Sequence, residues 1–282
     1  MVAASVAERA YEVATRSALV ALERNLIPDA VTRRLTRLLL AQRLRQGYLP
    51  SAPLQLQQLL QFVRSLEEMP IAIETDKAKA QHYELPTAFF KLVLGRNLKY
   101  RENELSNVEI IVADISKFEM ERSFDRIISI EMFEHMKNYK SLLKKISRWM
   151  KEDGLLFVHF FCHKTFPYHF EDKNDDDWIT RYFFSGGTMP SANLLLYFQE
   201  DVSVVNHWLV SGTHYARTSE EWLKRMDKGI ASIRPIFEKT YGKESTIKWI
   251  AYWRTFFISV AELFGYNNGD EWMVAHYLFQ KK

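Results

Sequence analysis

Ile127-Ile128-Ser129-Ile130-Glu131-Met132-Phe133-Glu134-His135-Met136-Lys137-Asn138-Tyr139 is the stretch whose reading decides the fold. Its front half completes a segment, Phe124–Ile130, whose apolar residues Phe124, Ile127, Ile128 and Ile130 suggest a strand, and beyond it stand two carboxylates and an imidazole: Glu131, Glu134 and His135. A short, nearly continuous apolar segment predicts a strand covered on both faces, as in parallel sheets. Ligands of open α/β sheets bind beyond the carboxyl ends of such strands. Bases clustered at that place therefore mark a candidate site. The bland alternative is that Glu134 and His135 only cap the helix that follows, because helix N-termini favour carboxylates.

Working outward, Val108–Asp114 predicts a preceding strand, and 138–151 predicts a helix with Leu142, Leu143, Ile146, Trp149 and Met150 on one stripe. Gly154 reads as its stop, and Leu155–Cys162 as another buried strand. Strand, strand, helix, strand is the order of an α/β protein with a parallel sheet. Upstream, residues 2–69 read as helices ended by Pro70. Arg33, Arg34, Arg37, Arg43 and Arg45 read as a solvated basic face there. Gln81–Tyr100 reads as a turn leading into a helix around Phe89, Phe90 and Val93. Downstream, strands are expected near 202–210 and 272–279, with helices at Ser219–Met226 and Ile247–Phe264 between them. The second helix carries Trp249, Trp253, Phe256, Phe257, Val260 and Phe264 at helical spacing. Such a stripe belongs to a core or to a ring-lined pocket for a cation, and spacing alone leaves both readings open.

With 282 residues, 47% of them apolar, the chain can bury a large core. A net charge of +3 is too small to argue for nucleic acid or an anionic membrane surface. Cys162 is the only cysteine, so no intramolecular disulfide forms, which fits a reducing compartment. There is no apolar run of ~18 residues and no signal-peptide core. A cytoplasmic protein is expected, with neither membrane nor nucleic acid as partner. Glu131-x-x-Glu134-His135 and the group His159, Cys162, His163 and His169 do not match a zinc spacing, so no metal is expected.

Several motifs in order resemble the plant coclaurine-type N-methyltransferases, a branch of the cyclopropane-fatty-acid-synthase group. They are His82-Tyr83-Glu84-Leu85-Pro86, Asn97-Leu98-Lys99-Tyr100, Val112-Ala113-Asp114-Ile115, Ser129–Tyr139, Gly186-Gly187-Thr188-Met189-Pro190-Ser191 and Trp253-Arg254-Thr255-Phe256-Phe257. The resemblance covers Gln81 to Lys282 and fits the N-terminal helices more loosely. It implies a Rossmann-like class I methyltransferase sheet, S-adenosyl-L-methionine as cofactor, and a bulky, alkaloid-like amine as substrate. Glu131, Glu134 and His135 would be the catalytic set. Tyr100, Asp114, Ile115 and Ser129 would border the cofactor. Tyr83, Glu84, Trp253, Phe256 and Phe257 would border the amine. For Asp114, capping of the next turn is the alternative.

One departure is large. The family's Gly-rich loop after its first strand, and the second strand with its acidic end, have no counterpart, and none of the ten glycines forms Gly-x-Gly. On the order of 70 residues, two strand–helix units, are missing between Tyr100 and the expected strand at Val108. The expected layout is an N-terminal helical region at 1–80 and a truncated methyltransferase domain at 81–282, aromatic-rich from about 164. Loss of the loop implies impaired cofactor binding. A catalytically inactive form that binds amines, forms a homodimer or pairs with a full-length subunit is the alternative. A cyclopropane-synthase-like lipid methyltransferase is another, against which Glu131 speaks.

Overall fold

The computed structural model describes residues 6–77, 85–94, 109–174 and 177–282. Three helices come first: α1 (Val6–Glu23), α2 (Asp29–Gly47) and α3 (Ala52–Glu67). The hydroxyl of Ser51 accepts from the backbone N–H of Leu54 to start α3, and Pro53 sits in the first turn, where its missing N–H costs nothing. Leu59, Val63 and Leu66 then recur at helical spacing and bury against the sheet. Of the helix expected within Gln81–Tyr100, the described part is α4 (Thr87–Leu94).

Strand β1 (Phe124–Ile130) leads through a tight turn into α5 (Tyr139–Arg148) and then β2 (Met150–His163). The side chain of Asn138 accepts from Ser141 N at 2.8 Å to cap α5. Its amide donates to the carbonyls of Glu67 and Met69, both at 2.9 Å, which ties α3 to this turn. A two-stranded ribbon follows, β3 (Tyr168–His169) with β4 (Thr188–Met189), and α6 (Trp178–Phe183) lies between them in sequence. The chain ends with β5 (Val202–Val210), α7 (Gly212–Lys228), α8 (Ile230–Tyr241), α9 (Thr246–Gly265) and β6 (Trp272–Lys281).

The main sheet has the order β1-β2-β6-β5. β1 lies parallel to β2, with Ile127 opposite Leu156 and Ile130 opposite His159. β6 runs antiparallel to both β2 and β5. The sheet is therefore mixed rather than parallel throughout, because β6 enters between its neighbours in the reverse direction.

Two expectations fail at the β1 edge. Residues 109–114 of the expected strand form no strand, and Ile110, Ile111 and Val112 are exposed. β1 itself is not covered on both faces, since Ile128 is 67% and Ile130 60% exposed. The physical reason is the same for both. A strand is stable only against a partner, and the units that would flank and cover β1 have no counterpart in the sequence.

Three clusters form the core. The first joins α3, α5 and one sheet face through Leu156, Val158, Phe160, Ala275, Tyr277 and Phe279. The second is aromatic and helical, around Phe89, Phe183, Phe237, Trp253 and Phe257. The third joins Phe161, Val260, Phe264 and Trp272 with Leu40 and Leu44 of α2. Helix α2 is not simply a solvated basic face. Arg33 donates to Glu220 at 3.0 Å and to Glu262 at 2.9 Å, Arg37 also binds Glu262, and Arg43 lies over the Tyr168 ring at 4.8 Å. Arg254 of α9 makes a paired contact with Asp29 at the start of α2, both distances 3.0 Å. Gly212 lets α7 start hard against β6, since a Cβ there would fall 2.1 Å from the Trp272 carbonyl oxygen. Among the described residues no helix is long and apolar enough to cross a membrane.

Candidate active site

Because β1 and β2 are parallel, their carboxyl ends meet at one edge of the sheet. There the backbone N–H of Glu131 donates to the His159 carbonyl at 3.0 Å. Glu131 then turns out of the strand with φ +52°, a left-handed conformation that a non-glycine residue adopts at a cost. The turn places its carboxylate between two groups. Oε2 accepts from the Tyr215 hydroxyl of α7 at 3.0 Å. Oε1 lies 2.9 Å from His159 Nε2, although no hydrogen is aimed straight along that line and Oε1 makes no well-directed hydrogen bond. Burial, and then the charge of Glu131, push the Tyr215 hydroxyl well above the ordinary phenol range. Tyr215 is thus a donor at this site and keeps its proton.

Glu134 sits one short 3-10 turn further on, within Phe133–His135, and is 1% exposed. Its Oε2 is buried without a partner. Burial, reinforced by the charge of Glu131, drives its pKa well above the usual carboxylate range. Glu134 therefore holds its proton to higher pH than an ordinary carboxylate. His135 stacks on Phe184, centroids 5.9 Å apart and planes within 9°. Phe184 in turn lies 6.2 Å from Phe256, which stacks on Phe183 at 4.4 Å. An aromatic wall thus runs from the imidazole back to α9.

The segment Gly186–Ser191 closes the far side. Gly187 packs so that a Cβ would approach Phe170, Phe184 O and Glu134 O. Lys137, 1% exposed, donates to Gly187 O at 2.8 Å and Thr188 Oγ1 at 2.9 Å, and lies 2.8 Å from His169 Nδ1. Burial lowers its ammonium to about 8.

The expected site residues separate into groups. Glu131, Glu134 and His135 lie on the single turn just described. Ser129, on β1, is buried with its hydroxyl unpartnered. Asp114 caps a turn, Oδ1 accepting from Ser116 N at 2.9 Å and Ser116 Oγ at 2.7 Å. Burial works against its charge, but those bonds hold its carboxyl below the usual range. Ile115 packs against the first core cluster. Trp253 and Phe257 are buried in the second, and Phe256 is half-buried beside Phe183 and Phe184. Tyr83, Glu84 and Tyr100 lie outside the described residues. Sequence reasoning missed Tyr215, Lys137 and His276, and took His159 only for a candidate metal ligand. The available signal was a histidine interrupting each of two apolar strands. Among the described residues no group of three His, Cys, Asp or Glu could hold a metal ion.

For a nucleoside-sulfonium cofactor the residues present do not fit completely. Ser129 offers an orphaned hydroxyl at the strand end. No close-approach glycine follows it, and Gly186, the one glycine of the Gly-Gly pair with positive φ (+74°), packs on Ile73 and Glu74 instead.

In a mixed α/β sheet, a carboxylate pair and an imidazole just beyond the carboxyl end of a parallel strand, faced by Tyr215 of α7, occupy the place where open α/β proteins bind their ligands. Residues 101–267 match the family model described as mycolic acid cyclopropane synthetase. The (S)-coclaurine N-methyltransferase of Thalictrum flavum subsp. glaucum is 39% identical, the match covering 93% of this chain and 94% of that protein. The pavine N-methyltransferase of the same plant is 36% identical over 93% of this chain and 95% of its own length. A crystal structure of coclaurine N-methyltransferase bound to N-methylheliamine and SAH superposes with a TM-score of 0.91 at 38% identity, covering 95% of this chain and all of that one. The chain belongs to the coclaurine-type N-methyltransferases, within the cyclopropane synthetase family. The alignment to the Thalictrum enzyme spans 340 residues and this chain has 282, so the relative carries a block that is absent here.

Proposed function

We propose that the Glu131 turn is the acceptor site of an S-adenosylmethionine-dependent N-methyltransferase that takes a bulky, alkaloid-like amine. The observation that carries this reading is the clamped pair: Glu131 held by Tyr215 at 3.0 Å in front of Glu134, which is 1% exposed. An amine reacts as a nucleophile only after losing its ammonium proton, and a positioned carboxylate or imidazole accepts it. Glu131 and His135 fill that role. Glu134, buried behind them, orients the site. The wall of Phe184 and Phe256 attracts a cationic amine through its ring faces. The cofactor, when bound, supplies the electrophilic methyl group. Ser129, Asp114 and Ile115 border its place, and the missing Gly-rich loop weakens its hold.

A second reading has its own support. The open β1 edge and the absent loop favour a chain that binds amine without turning it over and pairs with another copy or a full-length subunit.

Calorimetric titration tests both. The chain is titrated with S-adenosylhomocysteine and, separately, with a tetrahydroisoquinoline amine, followed by a methyl-transfer assay. Binding of both with turnover supports the first reading. Amine binding alone supports the second. No amine binding by a cooperatively folded chain, or amine binding untouched by Glu131→Gln, overturns the acceptor-site assignment.

A further inference from the structure

We propose that His276 is a positioning residue of this site: across the β2–β6 pair it fixes which nitrogen of His159 carries the proton, and through His159 it sets the Glu131 carboxylate. The inference rests on Glu131 being the proton acceptor, and its geometry stands apart from that reading.

His159 and His276 face each other in register on adjacent antiparallel strands. Their ring centroids are 4.9 Å apart, and His159 Nδ1 lies 2.9 Å from His276 Nε2. The other nitrogen of His159 lies 2.9 Å from Glu131 Oε1. A neutral imidazole has one N–H and one lone pair. A carboxylate only accepts, so the N–H of His159 belongs on Nε2, toward Glu131. Its Nδ1 is then an acceptor, and His276 must present its Nε2–H there. The assignment puts one N–H on His276 toward His159 and one on His159 on the side of Glu131.

The orphaned state of Glu131 Oε1 gives this a consequence. A small rotation of the His159 ring, hinged on its contact with His276, aims the Nε2–H at that oxygen. The carboxylate is then held from both sides, by Tyr215 and by His159, which is what a residue in left-handed backbone needs to keep one orientation. Which ring nitrogen of a histidine bears hydrogen is set by the bond its other nitrogen makes. Three groups surround the pair. Glu131 faces it from β1, Trp208 pairs opposite His276 on β5, and the Phe157 ring lies 5.1 Å from His276. Burial, and then His159, lower the His276 imidazole below its ordinary value.

Nitrogen-15 spectra of the imidazoles read the tautomers directly. In the unaltered chain His159 is expected as the single Nε2–H form. His276→Phe should lose that signature and give a tautomer mixture at His159. His276→Gln keeps an N–H donor at the same reach and should restore the single form. An unchanged His159 in a folded His276→Phe chain overturns the proposal. So does a mixture already present in the unaltered chain, or a His276→Gln chain that behaves like His276→Phe. Adding the tetrahydroisoquinoline amine to the same samples separates the two claims. A tautomer shift at His159 without any amine response keeps the positioning role and refutes the acceptor reading. The reverse pattern does the opposite.

Discussion

At the residue scale, burial decides the chemistry of two groups. Glu134 carries a pKa raised by burial and by Glu131. The unfolded chain gives up this proton near 4.5, while the folded chain holds it to higher pH. The native state therefore suffers no penalty below that value and loses stability as pH rises toward the folded pKa. Glu134→Gln should remove this slope and raise stability at neutral pH relative to the unaltered chain. Urea midpoints measured across pH check it. His163 has the opposite sign. It is fully buried, its Nδ1 accepts from the backbone of Thr165 and Phe166, and burial, then the charge of Lys164, lower its pKa to about 3. The unfolded imidazole takes a proton near 6.5, so stability falls as pH drops below that point, by about 2 kcal/mol near pH 5. His163→Asn keeps an acceptor and should flatten that acid limb.

At the element scale, β1 is an edge strand with apolar side chains turned to solvent. Such edges promote association, and a charge on them suppresses it. Ile128→Lys and Ile130→Lys should lower light scattering at high protein concentration and change the melting stability by about 0.5 kcal/mol at most. Equal scattering in the variants would show that association, if any, uses another surface. Much of the element pattern was legible in the sequence. β1, the end of β2, β5, β6 and α9 lie where apolar runs and helical stripes put them. The ribbon of β3 and β4 and the short α6 were not read from the sequence, and two further places misled it. α8 contains Pro235, a residue that usually ends a helix, and the helix continues past it with Ile233 and Phe237 buried on either side. Residues 109–114 have the composition of a strand and no partner, and pairing is a long-range property that a local pattern does not carry. The same limit applies to the site. Glu131, Glu134 and His135 are neighbours in sequence and were found there. Tyr215 is 84 residues from Glu131, and His276 is 117 from His159, so only the fold introduces them.

At the scale of the whole molecule, the N-terminal helices meet the C-terminal helices through apolar packing of Leu19, Leu22, Leu40 and Leu44 and through a few charged contacts. Glu262, its side chain 9% exposed, receives both Arg33 and Arg37. Replacing it with Ala takes this carboxylate from the largely exposed Arg37 and leaves Arg33 with Glu220 alone, at a cost of about 1 kcal/mol. Hydrogen exchange should then quicken in α2 before it does in β2 or β6, and uniform quickening across all three would mean that α2 is not a separate unit. The sheet order also governs how the molecule is made. β6 lies between β2 and β5 yet follows both in sequence, with three helices intervening. On the ribosome, β1 and β2 emerge early and β5 later, and neither group has a shared partner until β6 leaves the exit tunnel. The sheet closes only once β6 has been made, so the half-built sheet, with β2 and β5 lacking their shared partner, is the species most dependent on chaperones in the cell.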